Sequence, residues 1–474
     1  MRVLLINPPR FNEIIADNPA FIEEERGFNP PLGLLYLAGY LKKNGGHQVF
    51  ALDAQVDRIS SSGEFKKRIA EFKPEAVGVV AMTFTLVDVL KTIKIVKEIE
   101  KERGHKIFTV LGGPHVHLYP KETVAIKEVD FVIKGEGEIP FFKLLEALEG
   151  RGSLSQIKSL TYKENGQIFD NPVGDLIENL DDLPFPERTL LPVERYNSIL
   201  GGGHIVTTMF TSRGCPFQCA FCDRPHLGKR FRARSAKSVA DEMEECLGLG
   251  IQEILIYDDT FTVDKQRVID ICDEIIRRRL KFVWDIRARV DTIDEIILKK
   301  LKQAGCQRIH FGVESGTEKI LKVLNKGIHL EQIEKAFNSA KRAGIETLGY
   351  FMIGAPGETR EDIFETIKFA KKINPDYAHI TILTPYPGTL IYKQALEQGV
   401  IKNDYWLEFA RNPENPPETR YWEKELSKEE LFKLLNKFYK DFYGRPSFII
   451  KQIFKIRSFD DFMKRAKAGL KILK

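Results

Sequence analysis

The chain has 474 residues, a net charge of +5 from 72 Lys+Arg against 67 Asp+Glu, and 43% hydrophobic residues. That length exceeds one ordinary core and implies two or three domains, and the near-balanced charge gives no reason to invoke nucleic acid. Six cysteines make no disulfide framework, Met1–Pro9 is too short an apolar run for a signal peptide, and no stretch reaches the ~18 uncharged apolar residues of a membrane span.

The first third alternates short apolar runs with helical patterns. Strands are predicted at 2–7, 47–52, 75–82, 106–111 and 130–134, with helices at about 33–44, 63–72, 85–103 and 121–127. Strands joined by helices predict a parallel sheet covered on both faces, here as a domain over residues 1–148. A flavodoxin-like order puts a ligand crevice at the carboxyl ends of strands one and three. Those ends carry Asn7-Pro8-Pro9 and Met82-Thr83-Phe84-Thr85, and the next two strands end in Gly112-Gly113-Pro114-His115 and Gly135-Glu136-Gly137-Glu138. Glycines at strand ends let the backbone approach a bulky ligand and leave amides free to donate. His115 and His117 have the chemistry of ligands, but hydrogen-bonded loop residues are the simpler reading.

Residues 149–205 read as a bridge. Ser159–Ile168 alternates apolar and polar positions around Asn165-Gly166, a hairpin signal, and Pro184-Phe185-Pro186 with Gly201-Gly202-Gly203 marks a linker.

Strands recur at 206–212, 252–258, 281–287, 307–313, 346–353 and 376–383, each followed by a helical pattern. Such βα units over 206–395 describe a partial, open (β/α)6 barrel, whose chemistry belongs at the carboxyl ends of its strands. After the first strand comes Cys215-Pro216-Phe217-Gln218-Cys219-Ala220-Phe221-Cys222, a C-x-x-x-C-x-Φ-C pattern. Tetrahedral zinc wants four ligands, and so does a cubane with every iron held by protein. A local supply of three suits a four-iron, four-sulfur cluster with one iron open. A chance meeting of thiols, or a zinc knuckle borrowing a distant ligand, is the alternative. Cys246, Cys272 and Cys306 lie in apolar surroundings and read as small buried hydrophobes. The remaining strand ends carry Asp258-Asp259, Arg289, Glu314 in G-V-E-S-G, Gly354 and Pro385.

The last region, 396–474, reads as helical and basic. An amphipathic helix is predicted at 426–443, and the tail from Arg445 holds nine basic residues against Asp460 and Asp461. Helices packed on the barrel's flank are the simpler reading; peripheral contact with an anionic membrane is the other.

The cysteine motif, with L-L-I-N-P-P, G-G-P-H and K-G-E-G-E upstream, resembles the radical S-adenosylmethionine superfamily over about residues 1–400. Within it the chain is similar to the cobalamin-binding-domain group, which includes the anaerobic magnesium-protoporphyrin ester cyclase and the class B C- and P-methylases. The resemblance implies that Cys215, Cys219 and Cys222 hold a 4Fe-4S cluster whose open iron chelates S-adenosylmethionine. It implies Glu314 for the ribose hydroxyls, Arg289 for the carboxylate, and Asp258 and Asp259 near the amino group. Gly354 and Pro385 would border the adenine slot, with Phe221 on its face. It implies cobalamin at Asn7, Thr83, Gly112, Gly113, Gly135, Glu136 and Gly137. None of the nine histidines stands in the D-x-H-x-x-G motif of base-off corrinoid proteins, so no histidine is expected beneath cobalt, where Met82–Leu86 would lie instead. A domain that keeps this fold without a corrin is the alternative. Methylthiotransferases share the barrel, but they would carry a second cysteine set in the first domain, and no cysteine precedes Cys215. The activity implied is methylation of an unactivated carbon of a small-molecule or lipid-like substrate, in the cytoplasm, with flavodoxin or ferredoxin as electron donor. Oxidative cyclisation without methyl transfer is one alternative; a corrin or cluster carrier without turnover is another.

Overall fold

Val3, Leu4, Leu5 and Ile6 are all fully buried, which a strand achieves only when both faces of its sheet are covered. In the computed structural model, which describes residues 1–14, 27–198, 203–223, 227–414, 416–446 and 448–450, this strand is β1 (Arg2–Asn7). It lies between β2 (Gln48–Asp53) and β3 (Ala76–Val80), with Val3 beside Val49 and Ala76. The strands β4 (Phe108–Gly112) and β5 (Phe131–Ile133) follow, all parallel, so the flavodoxin-like order holds. Val3 and Leu5 face the helices Leu32–Asn44 and Glu138–Leu148, while Leu4 and Ile6 face Leu86–Arg103. The helix Glu138–Leu148 is not among the predicted ones. Pro140 sits in its first turn, where a missing N–H costs nothing, so a residue that reads as a breaker is tolerated.

The predicted hairpin is present as β6 (Leu160–Glu164) and β7 (Gln167–Asp170), but it is no bridge. It pairs antiparallel with β5, Phe131 opposite Tyr162, and makes a sheet of seven strands. The open edge of β5 would otherwise leave a row of backbone groups unpaired, and Lys134 pairs with Asp170 across the same join. The first module therefore runs past residue 148.

The second sheet contains β8 (Val206–Met209), β11 (Glu253–Ile256), β12 (Val283–Ala288), β13 (Cys306–Glu314), β14 (Glu346–Ile353) and β15 (Tyr377–Ile382), parallel and in chain order. Between β8 and β11 the short strands β9 (Ser212–Arg213) and β10 (Arg232–Ala233) pair with each other and bracket the cysteine segment. Alternation decides which residues enter the barrel: Trp284, Ile286 and Ala288 pack into the helical shell, leaving Asp285 and Arg287 to the lumen.

The amphipathic helix near the C-terminus is present at Lys428–Tyr443, with Leu431, Leu434, Leu435, Phe438 and Phe442 buried. Tyr439 Oη accepts from Ile380 N–H at 3.0 Å and donates to its carbonyl at 2.9 Å; Tyr443 Oη serves Ala378 at 3.0 and 2.7 Å. The free edge of β15 is thus closed by two phenols. The basic tail beyond residue 450 lies outside the described residues. Among the described residues no helix is long and apolar enough to cross a membrane.

The modules are joined by buried charge. Arg213 pairs with Glu136 at 2.8 Å and Glu138 at 2.5 Å, and Arg232 reaches Glu136 at 2.9 Å. Burial alone would raise the Glu136 carboxyl, but the two guanidinium groups hold it below its ordinary value. The helix Tyr405–Arg411 adds an apolar clasp, since Tyr405, Trp406 and Phe409 share a core with Leu86, Val116 and Tyr119. Arg213→Ala should destabilise the protein by about 3–5 kcal/mol, because buried Glu138 loses its partner and buried Glu136 one of its two. Urea unfolding measures it, and adding Glu138→Gln should recover part of the loss.

Candidate active site

Gly214 turns the chain from β9 into the cysteine segment at φ +81°, with a Cβ there 2.2 Å from the Arg230 carbonyl, so only glycine fits. The segment is then pinned to the barrel rim. Ala220 N–H donates to the Leu324 carbonyl at 2.9 Å, Ile391 N–H to the Ala220 carbonyl at 3.1 Å, and Asn325 Nδ2 to the Gln218 carbonyl at 2.7 Å. Cys215, Cys219 and Cys222 are half-buried and free of disulfides. Among the described residues, only His47, Glu146 and Glu149 gather three ligand atoms within 4.8 Å of one another, so the cysteine sulfurs are spread more widely.

Cations stand beside the sulfurs. Arg289 Nη1 is 3.9 Å from Cys219 Sγ, with its guanidinium 3.8 Å over the Phe217 ring. The Asp291 carboxylate holds it through two 2.9 Å contacts, and the Lys326 carbonyl accepts at 2.8 Å. Burial pushes the Cys219 thiol up, opposed by Lys326 and Arg289. Lys326 Nζ pairs with Glu314 at 2.7 Å and lies 5.7 Å from the centre of the Phe221 ring. Glu314 is at φ +68°, where the pairing of β13 with β14 shifts register, and such bulges re-aim side chains. Gly312 leaves room for this pair, because a Cβ there would lie 2.5 Å from Glu314 Oε1 and 2.7 Å from Lys326 Nζ and would push their side-chain ends aside.

The two aspartates after β11 part company. Asp258 is fully buried, and Thr211 and Ser212 donate both their backbone N–H groups and their hydroxyls to its carboxylate. It staples the end of β8 to that of β11, and its acceptor sites are spent there. Asp259 instead offers its carbonyl to the Thr260 hydroxyl at 2.7 Å, and that hydroxyl is 3.9 Å from Cys215 Sγ. At the end of β14, Gly354 has φ +83°, and Glu358 accepts from the Gly354 and Ala355 amides at 2.6 and 2.9 Å. Pro385 is buried in the loop after β15.

In the first module Asn7 donates to Asp53 at 2.8 Å and accepts from Gln55 at 3.2 Å. Thr83 opens a 3-10 turn to Thr85, and its hydroxyl meets His115 Nδ1 at 3.2 Å. His115 is fully buried, which lowers its pKa to about 3 and keeps its ring neutral. Gly113, at φ +118°, lets the loop after β4 pass close to Ala81, whose carbonyl would sit 2.8 Å from a Cβ there. A Cβ on Gly112 would meet only the Ile133 carbonyl, at 3.9 Å, so a side chain is missing where space is open. Gly135 has φ +72° and Gly137 precedes the helix Glu138–Leu148. Glu136 is the exception, being spent on Arg213, Arg232 and the Ile177 amide. His117, in the short helix after β4, is half-buried. A glycine-edged crevice fits a flat corrin carried by contact and backbone donors.

The sequence profile of the Radical SAM superfamily matches residues 209–370, and that of the B12 binding domain matches 21–145. A Pyrococcus horikoshii protein described as an uncharacterized methyltransferase is 38% identical over 473 residues, covering 99% of this chain and 98% of that one. The chain belongs to the B12-binding radical SAM family. The anaerobic magnesium-protoporphyrin IX monomethyl ester cyclase of Rubrivivax gelatinosus is 31% identical over 402 residues, 83% of this chain and 70% of the relative. The cobalamin-dependent S-adenosylmethionine radical enzyme OxsB shares the fold, with a TM-score of 0.76 at 17% identity over 99% of this chain and 71% of its own. As a family member the chain is a radical SAM enzyme whose cofactors are a 4Fe-4S cluster, S-adenosylmethionine and cobalamin.

Lys326, Thr260 and Phe217 escape a reading of motifs in this radical SAM chain, because each is recognised only by the distant group it meets. Glu358 escaped for the same reason, and it titrates unusually: burial raises its carboxyl from 4.5 to about 7. The folded protein therefore keeps a proton that the unfolded chain has already released. This contribution to stability is present below the ordinary value and is lost as pH rises through about 7. Glu358→Gln should flatten the fall in Tm between about pH 5 and pH 8, which scanning fluorimetry across that range measures.

Proposed function

We propose that this chain methylates an unactivated carbon of a small molecule. The observation that carries the reading is the buried joint: Arg213, two residues before Cys215, is clasped by Glu136 from the loop after β5 and by Glu138 at the start of the next helix. Crevice and cysteine segment therefore share one wall, as two reagents must that reach the same carbon. When bound, cluster and S-adenosylmethionine supply a 5′-deoxyadenosyl radical that removes a hydrogen atom, and cobalamin supplies a methyl group. The chain's residues bind, orient and exclude water. Cys215, Cys219 and Cys222 would each hold an iron. Arg289 and Lys326 set two positive charges beside Cys219, suited to a carboxylate. Glu314 is the acceptor for ribose hydroxyls, exchanging Lys326 for them in part. Phe221, Gly354 and Pro385 border the adenine, and Asp259 with Thr260 lies on the amino side. The turn Met82–Leu86 would cover the lower face of the corrin. A flavodoxin or ferredoxin in the cytoplasm suits the electron supply, and the basic tail suits peripheral contact with an anionic membrane. Oxidative cyclisation is the second reading, favoured by the 31% identity to the porphyrin ester cyclase.

Anaerobically reconstituted protein, given dithionite and methyl-labelled S-adenosylmethionine, should release 5′-deoxyadenosine and, with cobalamin, move label into a compound of the host's small-molecule fraction. Deoxyadenosine with an unlabelled oxidised product selects cyclisation; no deoxyadenosine at all defeats the proposal. Joint replacement of Cys215, Cys219 and Cys222 by Ala should abolish both signals. Glu314→Ala should weaken S-adenosylmethionine binding by roughly 1.5–3 kcal/mol with iron content intact, as one acceptor to charged or polar donors is lost. An unchanged dissociation constant in calorimetry removes Glu314 from the site.

A further inference from the structure

Two arginines occupy successive layers of the barrel lumen, and their surroundings differ. Arg308 is buried and has two carboxylates, Asp285 at 2.7 Å and Glu346 at 3.1 Å. Arg287 is paired in register with His310, one layer nearer the cysteines. It is half-buried, and among the described residues it has no carboxylate partner; its guanidinium lies 3.9 Å over the ring of Tyr257. A guanidinium drawn from water ordinarily acquires an anion, as Arg308 does.

The lumen's neighbouring carboxylate, Asp285, is engaged by Arg308 and His310. His310 Nε2 is 3.3 Å from Asp285 and its Nδ1 is 3.1 Å from the Tyr350 hydroxyl. Asp285 keeps the proton on Nε2, so Nδ1 accepts from Tyr350, and burial favours the neutral ring. The layer thus presents one fixed positive charge on an aromatic support, with a tyrosine oxygen beside it. Tyr257 Oη also accepts from Asn29 Nδ2 at 2.8 Å, which brings a residue of the first module to the lumen's mouth. Two positions along the chain, Arg289 touches the cysteine segment, and alternate strand residues are about 6.7 Å apart.

We infer that Arg287 is the recognition point for an oxyanion of the substrate, a carboxylate or a phosphonate-type group. The substrate is then a small anionic molecule, anchored one side-chain layer below the cysteines. Its status as the substrate's anchor rests on the radical methylation reading. A planar fork stacked on a ring is pre-organised for two parallel hydrogen bonds to such a group.

The test titrates full-length, cluster-reconstituted protein by calorimetry with phenylphosphonate, benzoate and the neutral benzyl alcohol. Wild type should bind the two anions and not the alcohol. Arg287→Gln should weaken anion binding about tenfold or more, with Arg287→Lys between them, at unchanged Tm. Equal affinities in wild type and Arg287→Gln overturn the inference, as does no anion binding by wild type or equal binding of the alcohol. Loss of binding in Lys326→Gln with retention in Arg287→Gln also overturns it, since the anion then sits at the cysteine segment. The titration needs neither S-adenosylmethionine nor turnover. Anion binding through Arg287 in a protein that forms no deoxyadenosine would sink the radical reading alone; the reverse pattern would sink the anchor alone.

Discussion

The arrangement depends on Glu136. In the two-residue ladder of β9 and β10, Arg213 and Arg232 stand directly opposite each other, and like charges so placed repel. The ladder brackets the whole cysteine segment, so its pairing decides whether that segment has a defined shape. Glu136, entering from the other module, takes a hydrogen bond from each arginine and, with Glu138 on Arg213, turns a repulsion into a four-membered ion cluster. Replacing such a cluster by apolar groups costs little stability, but an apolar joint can slide, whereas fixed charges at defined separations cannot. The cysteine segment is thus shaped by a residue of the domain it must face.

A second constraint acts at the sulfurs. Three thiolates close together are unfavourable in a half-buried setting, and burial at Cys219 already resists ionisation. Arg289 and Lys326 counter this, and each is itself neutralised in part, by Asp291 and Glu314. The compensating pair sits where Glu314 accepts a left-handed backbone and Gly312 leaves space without a side chain. Strain in the main chain here accompanies a lysine and a glutamate fitted beneath the cysteine segment.

Period-two burial made the strands legible, since Val3 with Leu5 and Leu4 with Ile6 face different helices. The chain order of barrel strands, and the cysteine motif at the end of the first, were legible for the same reason. What stayed hidden depends on contacts distant in sequence. Gly135-Glu136-Gly137 reads as a ligand loop, yet the acid between the glycines points to arginines 77 and 96 residues away. Asp258 and Asp259 are neighbours of one residue type, and only tertiary placement shows that the first is a staple. The hairpin's Asn-Gly turn was plain, but nothing local says that β5 has an edge for it to cover. Arg287 stands at a strand end with no role legible from its neighbours in sequence, because its significance lies in a carboxylate that Arg308 has and that, among the described residues, it does not.

The phenols of Tyr439 and Tyr443 act as a counterfeit strand. A hydroxyl both donates and accepts, so each satisfies the two groups that a neighbouring strand would have met at Ile380 and Ala378. The sheet's width is therefore set by a helix that lies far along the chain from the edge it seals, and not by the βα repeat itself. A chain ending before Ser427 would have the same six strands and a live edge, ready to pair with another molecule. The helix Lys428–Tyr443 is in that sense a guard on one edge: at Ile380 and Ala378 it leaves β15 no backbone groups for a second copy to pair with.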